Sequence, residues 1–168
     1  MANVTFNQEP VTLLGTALKA GDKAPDFTVL TTNMKPVTLN DSKGKVRLIS
    51  VVPSIDTGVC SQQTRTFSEQ ATSLGEDVEV LTISVDLPFA QARWGATECI
   101  KNVQTLSDHR DLSFGEAYGV VMKELRLLAR SIFVIDKDDT IAYVEYVSEV
   151  TNHPDYDKAL EAVRNLIA

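Results

Sequence analysis

Runs of apolar residues predict buried strands along the chain. Residues 45–52 (KVRLISVV) and 78–86 (VEVLTISVD) are rich in Val, Ile and Leu and are bounded by polar, glycine or proline residues. Such runs are typical of strands covered on both faces. SIFVID and IAYVEYV are separated by the polar KDDT, which predicts a hairpin. DFTVL, KPVTL and NVQTLSD predict shorter extended segments.

Helical spacing of apolar residues predicts the helices. From Cys60 onward, residues suited to a buried helix face recur at helical spacing, at Thr64, Phe67, Ala71 and Leu74. Gly75 ends this predicted helix. Pro88 suits the first turn of a second helix through FAQARW, and SFGEAYGV predicts a short third one. The last helix has one apolar face, which contains Tyr156, Leu160, Val163 and Ile167.

The order of these elements predicts an α/β fold. Strands and helices alternate, so a mixed central sheet flanked by helices on both faces, a three-layer sandwich, is expected. VTFNQEPVTLLG predicts an N-terminal β-hairpin within residues 1–15. A thioredoxin-like core is compatible with this order, although the pattern alone does not require it. The 168 residues fit one domain, 1–168.

The composition of the chain argues against several classes of binding partner. The net charge of −7 argues against binding to nucleic acid or to an anionic membrane surface, since both need basic patches. The apolar runs are too short to span a bilayer, and MANVTFNQEP has no secretory signal pattern. We therefore expect a cytoplasmic protein. Thiols are kept reduced there, so its two cysteines are buried filler or redox-active groups rather than a static bridge.

Of the two cysteines, Cys60 has the more informative position. It follows the predicted strand 45–52 and a short polar loop, and a helix begins there. The free N–H groups and the dipole at a helix N-terminus favour a thiolate, the nucleophilic form of cysteine. Thr57 can cap that helix or bond the sulfur, and Pro53 can end the strand or shield the sulfur. Each residue alone is equally compatible with a structural role. The three together, spaced P-x-x-x-T-x-x-C after a buried strand, are a much more specific indication of a functional site.

PSIDTGVC resembles the active-site motif of the peroxiredoxins. The resemblance covers nearly the whole chain, because VVPSIDTGVCSQQTRTF, SVDLPFAQARW, LSDHRDLSFGEAYGV, LLARSIFVID and YVEYV…PDYD are all similar to the bacterial thiol peroxidases, which are atypical two-cysteine peroxiredoxins. It implies a thioredoxin-like fold and a peroxidase that uses no metal and no organic cofactor.

The resemblance also implies a role for each matched residue. Cys60 is the expected peroxidatic cysteine, whose thiolate attacks a hydroperoxide and becomes sulfenic acid. Thr57 is expected to hold the peroxide and the sulfur by hydrogen bonds, and Pro53 to keep water away. Arg130, in LLARS, matches the arginine that polarises the peroxide and stabilises the thiolate. Only the resemblance selects Arg130, because an arginine before a strand is usually a solvated charge.

The second cysteine departs from the family pattern. The family implies a resolving cysteine directly after the tryptophan of FAQ-x-x-W, but here Gly95 holds that position and Cys99 follows four residues later. If residues 88–99 are helical, this shift keeps the thiol on a similar face and moves it about 6 Å along the axis. Cys99 can then resolve only if the segment moves or unwinds. We hypothesise that Cys99 is the resolving cysteine, and the alternative is a one-cysteine peroxidase with an inert Cys99.

The resemblance likewise implies substrates and partners. The substrates are hydrogen peroxide and alkyl hydroperoxides, the electron donor is thioredoxin, and the assembly is a homodimer. Phe89 and Trp94 would suit organic hydroperoxides if they face the site, and otherwise pack in the core. A C-x-x-C oxidoreductase is disfavoured because Gln63 stands in the second cysteine position, and isolated His109 and His153 do not predict a metal site. A redox-inactive binding protein on the same fold remains an alternative, which thiol reactivity at mildly acidic pH would distinguish.

Overall fold

The computed structural model describes residues 3–100 and 102–168, in which strands and helices follow one another along the chain. The strands are β1 (Val4–Phe6), β2 (Glu9–Val11), β3 (Leu13–Leu14), β4 (Thr28–Leu30), β5 (Pro36–Thr38), β6 (Val46–Val51), β7 (Val78–Ser84), β8 (Gln104–Ser107), β9 (Val121–Met122), β10 (Leu127–Leu128), β11 (Ser131–Ile135) and β12 (Ile141–Tyr146). The helices are a 3₁₀ turn (Leu39–Ser42), α1 (Gly58–Leu74), α2 (Pro88–Glu98), α3 (Ser113–Ala117) and α4 (Tyr156–Ile167). No helix in these described ranges is long and apolar enough to cross a membrane.

A seven-stranded mixed sheet forms the centre of the molecule. Its strand order is β12-β11-β6-β7-β8-β4-β5, with β6, β7 and β8 parallel and the outer pairs antiparallel. The residues of β6 are all buried, which is why four of its six residues are apolar with little alternation, Arg47 and Ser50 being the buried polar ones. The predicted hairpin around KDDT is present as β11 and β12.

Both faces of this sheet are covered. Val46 and Leu48 of β6 pack in one apolar cluster with α1 and α4, whereas Ile49 and Val51 pack in another with α3 and the loops around it. Successive strand residues point to opposite faces, so one strand serves both clusters. The predicted mixed sheet between helical layers is confirmed.

Helix α1 begins and ends where the sequence indicates. Thr57 is its N-cap in extended conformation, and Gly75 ends it at φ 88°, a conformation that favours glycine. Cys60 therefore lies in the first turn. The face predicted from the helical spacing is the buried one, with Thr64 and Phe67 both fully buried.

Helix α2 ends one residue before Cys99. Pro88 occupies the first turn, as predicted, and the last helical residue is Glu98. Cys99 is the C-cap in the left-handed region, with φ 55° and ψ 40°. The premise that residues 88–99 are all helical is thus wrong at its last residue, because the chain turns there.

The predicted N-terminal hairpin is present as β1 and β2. It is joined to the loop after β12, since Thr5 donates from its N–H to the Ser148 carbonyl at 2.8 Å and accepts from the Val150 N–H at 2.9 Å. A small sheet of β10, β9 and β3 was not predicted. Its two-residue strands are too short to leave a periodic pattern in the sequence.

Candidate active site

Cys60 lies buried in the first turn of α1. Its N–H donates to Thr57 Oγ at 3.3 Å, and its carbonyl accepts from the Thr64 hydroxyl at 3.0 Å. The Cys60 side chain is not exposed at all. Val52, Ile55 and Trp94 complete the apolar cluster around it. The thiol is therefore held between a helix N-terminus and an apolar wall.

Arg130 reaches this thiol from a distant part of the sequence. Ser131 of β11 pairs with Val51 of β6, so the residue before Ser131 lies beside the loop that carries Pro53. Nη2 of Arg130 is 3.2 Å from the Cys60 sulfur, and its Nε donates to the Val150 carbonyl at 2.7 Å. The side chain is only 2% exposed. Arg130 is thus a buried, oriented cation and not the solvated charge that its sequence position suggests.

Gln63 completes a polar network that sequence reasoning missed. Its Oε1 accepts from Arg130 Nη1 at 2.9 Å, and its Nε2 donates to Ser50 Oγ at 2.7 Å. Gln63 lies one turn after Cys60, so the two side chains share a helix face. The spacing was the available signal, but a glutamine on a helix is usually exposed.

The network places the positive charge of Arg130 beside the sulfur. Within residues 3–100 and 102–168, no carboxylate forms an ion pair with Arg130. Its partners are the Gln63 amide oxygen, the Val150 carbonyl and the Cys60 sulfur. A buried cation without a counter-charge is costly, so Arg130 is placed to bind a ligand or reacting group that carries negative charge.

A cavity of about 230 Å³ opens beside this network. It is lined by Phe6, Pro53, Thr57, Gly58, Val59, Arg130, Val150 and Thr151. Thr57 and Arg130 both contact Cys60, so the cavity borders the thiol through them. Its other walls are largely apolar, which suits a ligand with a small carbon group next to a polar end.

The N-terminal hairpin supplies Phe6 to this cavity, and Glu149 holds the hairpin. The Glu149 carboxylate accepts from the Thr5 hydroxyl at 2.9 Å, the Gln8 N–H at 2.7 Å and the Thr151 hydroxyl at 2.6 Å. Hydrogen bonds from Thr151, then from the hairpin, lower the pKa of Glu149 to about 2. Neither residue carried a recognisable sequence signal, because the contacts join the two ends of the chain.

Asp86 fixes the loop before Cys60. Its carboxylate accepts from the Ser54 hydroxyl and from the Ile55 N–H, both at 2.8 Å. The loop between β6 and α1 is thereby tied to the end of β7. Pro53, at the start of that loop, is buried and lines the cavity.

Cys99 lies apart from this group. It is exposed, whereas Cys60 is fully buried, and both thiols are free. Trp94 and Ile100, on either side of Cys99 in sequence, pack in the apolar cluster of Cys60. Phe89 is 64% exposed, and neither Phe89 nor Trp94 lines the cavity. The structure thus brings Cys60, Thr57, Pro53 and Arg130 together and leaves Cys99 outside.

His153 lies at the surface beside Tyr156. His153 is exposed, and its Nδ1 lies 2.8 Å from the Tyr156 hydroxyl. Burial raises the pKa of Tyr156, and the nearby Arg130 charge opposes that rise. In the part of the chain that the structure describes, no cluster of three or more His, Cys, Asp or Glu side chains could hold a metal ion.

A thioredoxin-like sheet with a buried cysteine at a helix N-terminus and an arginine on its sulfur defines the class of thiol-dependent redox proteins. Comparison with known proteins agrees, since the profile of the Redoxin family matches residues 19–160. The chain is 67% identical to a thiol peroxidase of Halalkalibacterium halodurans, over 98% of both chains. It is 62% identical to a thiol peroxidase of Bacillus subtilis, over 99% of both. The crystal structure of a peroxiredoxin-like protein from Aquifex aeolicus superimposes with a TM-score of 0.93 at 40% identity, covering 99% of this chain and 98% of that one.

This chain therefore belongs to the Redoxin family. The family, the fold and the peroxidase class of activity that the sequence predicts are confirmed by these matches.

Proposed function

We propose that the chain reduces hydroperoxides through the thiolate of Cys60. The observation that carries this proposal is the 3.2 Å contact between the Cys60 sulfur and Arg130, a buried cation that pairs with no carboxylate among the described residues. A structural cysteine has no need of a desolvated guanidinium. A nucleophile does, because its thiolate must be stabilised before it can react.

The reaction transfers one oxygen atom. The Cys60 thiolate attacks the terminal oxygen of the peroxide, an S–O bond forms, and the O–O bond breaks. The leaving alkoxide or hydroxide takes a proton and departs as alcohol or water, and the sulfur becomes sulfenic acid. Arg130 faces the charge that moves from sulfur to the leaving oxygen, so it stabilises the transition state.

Thr57 and Pro53 prepare the site for this step. The Thr57 hydroxyl accepts the Cys60 N–H, so its own proton is directed away from that bond and can bind a peroxide oxygen. Pro53 has no N–H to donate and forms a buried wall of the cavity. The apolar side chains of Phe6, Val59 and Val150 favour alkyl hydroperoxides in addition to hydrogen peroxide.

Cys99 is our candidate for the resolving step. Its thiolate attacks the sulfenic sulfur of Cys60, an S–S bond forms, the S–O bond breaks, and the leaving hydroxide takes a proton from solvent and departs as water. Thioredoxin then reduces the disulfide. Because Cys60 is buried and Cys99 is exposed, the end of α2 must move first. The same separation favours a second candidate, a one-cysteine peroxidase in which an external thiol attacks the sulfenic acid.

We also propose the setting in which this enzyme works. The chain acts as one domain, 1–168, with residues 1–15 as a hairpin extension, which the contacts of Thr5 and Glu149 support. It functions as a homodimer in the cytoplasm, without metal or organic cofactor.

The mass of the intact protein after one equivalent of peroxide, without reductant, tests these proposals. A loss of about 2 Da with no free thiol means a Cys60–Cys99 disulfide. A gain of about 16 or 32 Da means an oxidised Cys60 without an internal partner, which favours the one-cysteine alternative. An unchanged mass would refute the peroxidase and leave the redox-inactive binding protein. Cys99→Ser is the control, since it must abolish the loss of 2 Da while keeping the reaction with peroxide.

A further inference from the structure

The end of α2 is attached to α1, the helix that carries Cys60. Glu98, the residue before Cys99, pairs with Arg65 of α1 at 2.9 Å. Beyond Cys99, the Asn102 side-chain amide donates to the Thr72 hydroxyl, also on α1, at 2.8 Å. Cys99 thus lies between two contacts to the helix whose first turn it must approach.

The same segment covers the buried thiol. Trp94 is 8% exposed and packs with Cys60, and Ile100 packs against that cluster. Disulfide geometry needs Cα atoms about 4.4–6.8 Å apart and side chains that point toward each other. An exposed Cys99 and a fully buried Cys60 do not meet this condition together. The cover must therefore open before the two sulfurs can join.

Cys99 itself is in a conformation that unwinding would relax. Its φ of 55° is in the left-handed region, which a residue with a Cβ adopts at a cost. Its side chain is exposed and so adds little packing to the closed form. The contacts that oppose opening are therefore those of its neighbours, and Arg65–Glu98 is the charged one among them.

We propose that Arg65 and Glu98 are positioning residues that hold the end of α2 closed and thereby set the rate at which Cys99 resolves Cys60. This inference rests on the proposed resolving role of Cys99. Two reactions compete for the sulfenic acid. In one, the Cys99 thiolate attacks the Cys60 sulfur, an S–S bond forms, and the leaving hydroxide takes a proton from solvent and departs as water. In the other, a second peroxide molecule adds an oxygen and leaves as alcohol or water, which gives sulfinic acid.

The ion pair shifts this competition by stabilising the closed form. Both side chains are partly exposed, 40% for Arg65 and 31% for Glu98, so the pair is of the modest, salt-screened kind. Its loss should raise the population of the open form, and with it the rate of disulfide formation, by about two- to fivefold. The peroxide concentration that converts half of the protein to sulfinic acid should rise by a similar factor.

The test uses the full chain and a charge exchange. Arg65→Glu and Glu98→Arg each break the pair, and the double variant restores it with reversed polarity. Glu76→Arg is the matched control, because Glu76 is exposed just beyond the end of α1 and forms no ion pair in the described structure. Disulfide formation is followed after rapid mixing with peroxide, by the fluorescence of Trp94, the single tryptophan, and by the mass of quenched samples.

Four outcomes are decisive. Faster disulfide formation in both single variants supports the proposal, provided that the double variant returns to the wild-type rate and Glu76→Arg does not change it. So does a wild-type rate that rises with salt while the rates of the single variants do not. Equal rates in all variants overturn it and leave the resolving role of Cys99 intact. If the wild-type protein gains 16 or 32 Da and never loses 2 Da, the proposed function of Cys99 itself fails.

Discussion

Replacement of Arg130 by Met should slow the reaction of Cys60 with peroxide more than any change that leaves the thiol in place. The change removes the Nη2 donor that lies 3.2 Å from the sulfur, and it removes the buried positive charge. Loss of one oriented donor to a developing anion typically costs about 10²–10³-fold in rate, or about 2.7–4 kcal/mol. We expect this loss in the second-order rate constant for hydrogen peroxide.

The structure also separates charge from orientation at this position. Arg130 makes three directed contacts at once, to Cys60, Gln63 and Val150, and a lysine cannot reproduce them. The second-order rate constant of Arg130→Lys for hydrogen peroxide should therefore lie between those of the wild type and of Arg130→Met. The Gln63 and Val150 oxygens lose their donor in Arg130→Met, so thermal unfolding must establish that this variant is folded.

The assay is stopped-flow fluorescence of Trp94 at limiting peroxide, with single-turnover mass analysis as the second readout. Arg126→Met serves as the control, because Arg126 is exposed and takes part in no ion pair within the described structure. A folded Arg130→Met protein that reacts within about threefold of the wild-type rate would refute the catalytic role assigned to the arginine.

Three further predictions concern the cavity, the resolving position and acid stability. Phe6→Ala should lower kcat/KM for cumene hydroperoxide by about tenfold while that for hydrogen peroxide changes little, because only the organic substrate contacts the apolar wall. Gly95→Cys combined with Cys99→Ser moves the thiol to the position that the family resemblance implies, where a Cβ meets no atom within 4 Å and so causes no clash. We expect this variant to form the internal disulfide, with a mass loss of about 2 Da. Burial raises the pKa of Asp108 to about 6 from its ordinary 3.8, so its ionisation opposes folding fully above pH 6 and not below pH 3.8. This group should therefore add about 3 kcal/mol to the unfolding free energy as the pH falls from 7 to 3.5, measured by urea unfolding.

Each of these three has its own control. Glu9→Ala changes an exposed residue of the same hairpin that does not line the cavity, and it should leave the substrate ratio unchanged. An equal fall for both peroxides in Phe6→Ala would contradict the role of the wall. If the double variant Gly95→Cys, Cys99→Ser instead gains about 16 or 32 Da and forms no disulfide, a thiol at position 95 does not reach Cys60 in this protein. The unfolding free energy of Asp108→Asn should lack the gain of about 3 kcal/mol between pH 7 and pH 3.5. If it depends on pH in the same way as that of the wild type, the gain does not come from Asp108.

The sequence by itself determined the long strands and helices and the centre of the site. Residues 45–52 and 78–86 are strands because their apolar runs can be buried only between two covering layers, and this information is local. The cap at Thr57, the stop at Gly75 and Cys60 in the first turn are likewise encoded within a few residues. The family motif added Arg130, which no local pattern would have selected.

Only the tertiary structure decided what surrounds the thiol. Arg130 meets Cys60 because β11 pairs with β6 in a register that sets Ser131 opposite Val51, and strand register is a long-range property. Phe6 enters the cavity for a similar reason, since Glu149 joins the first strand to a loop near the other end of the chain. The attachment of the end of α2 to α1 is likewise long-range, because Arg65 pairs with Glu98 and Thr72 accepts from Asn102. Periodicity reports which face of an element is buried, but the partner that buries it is chosen by the packing of the whole chain.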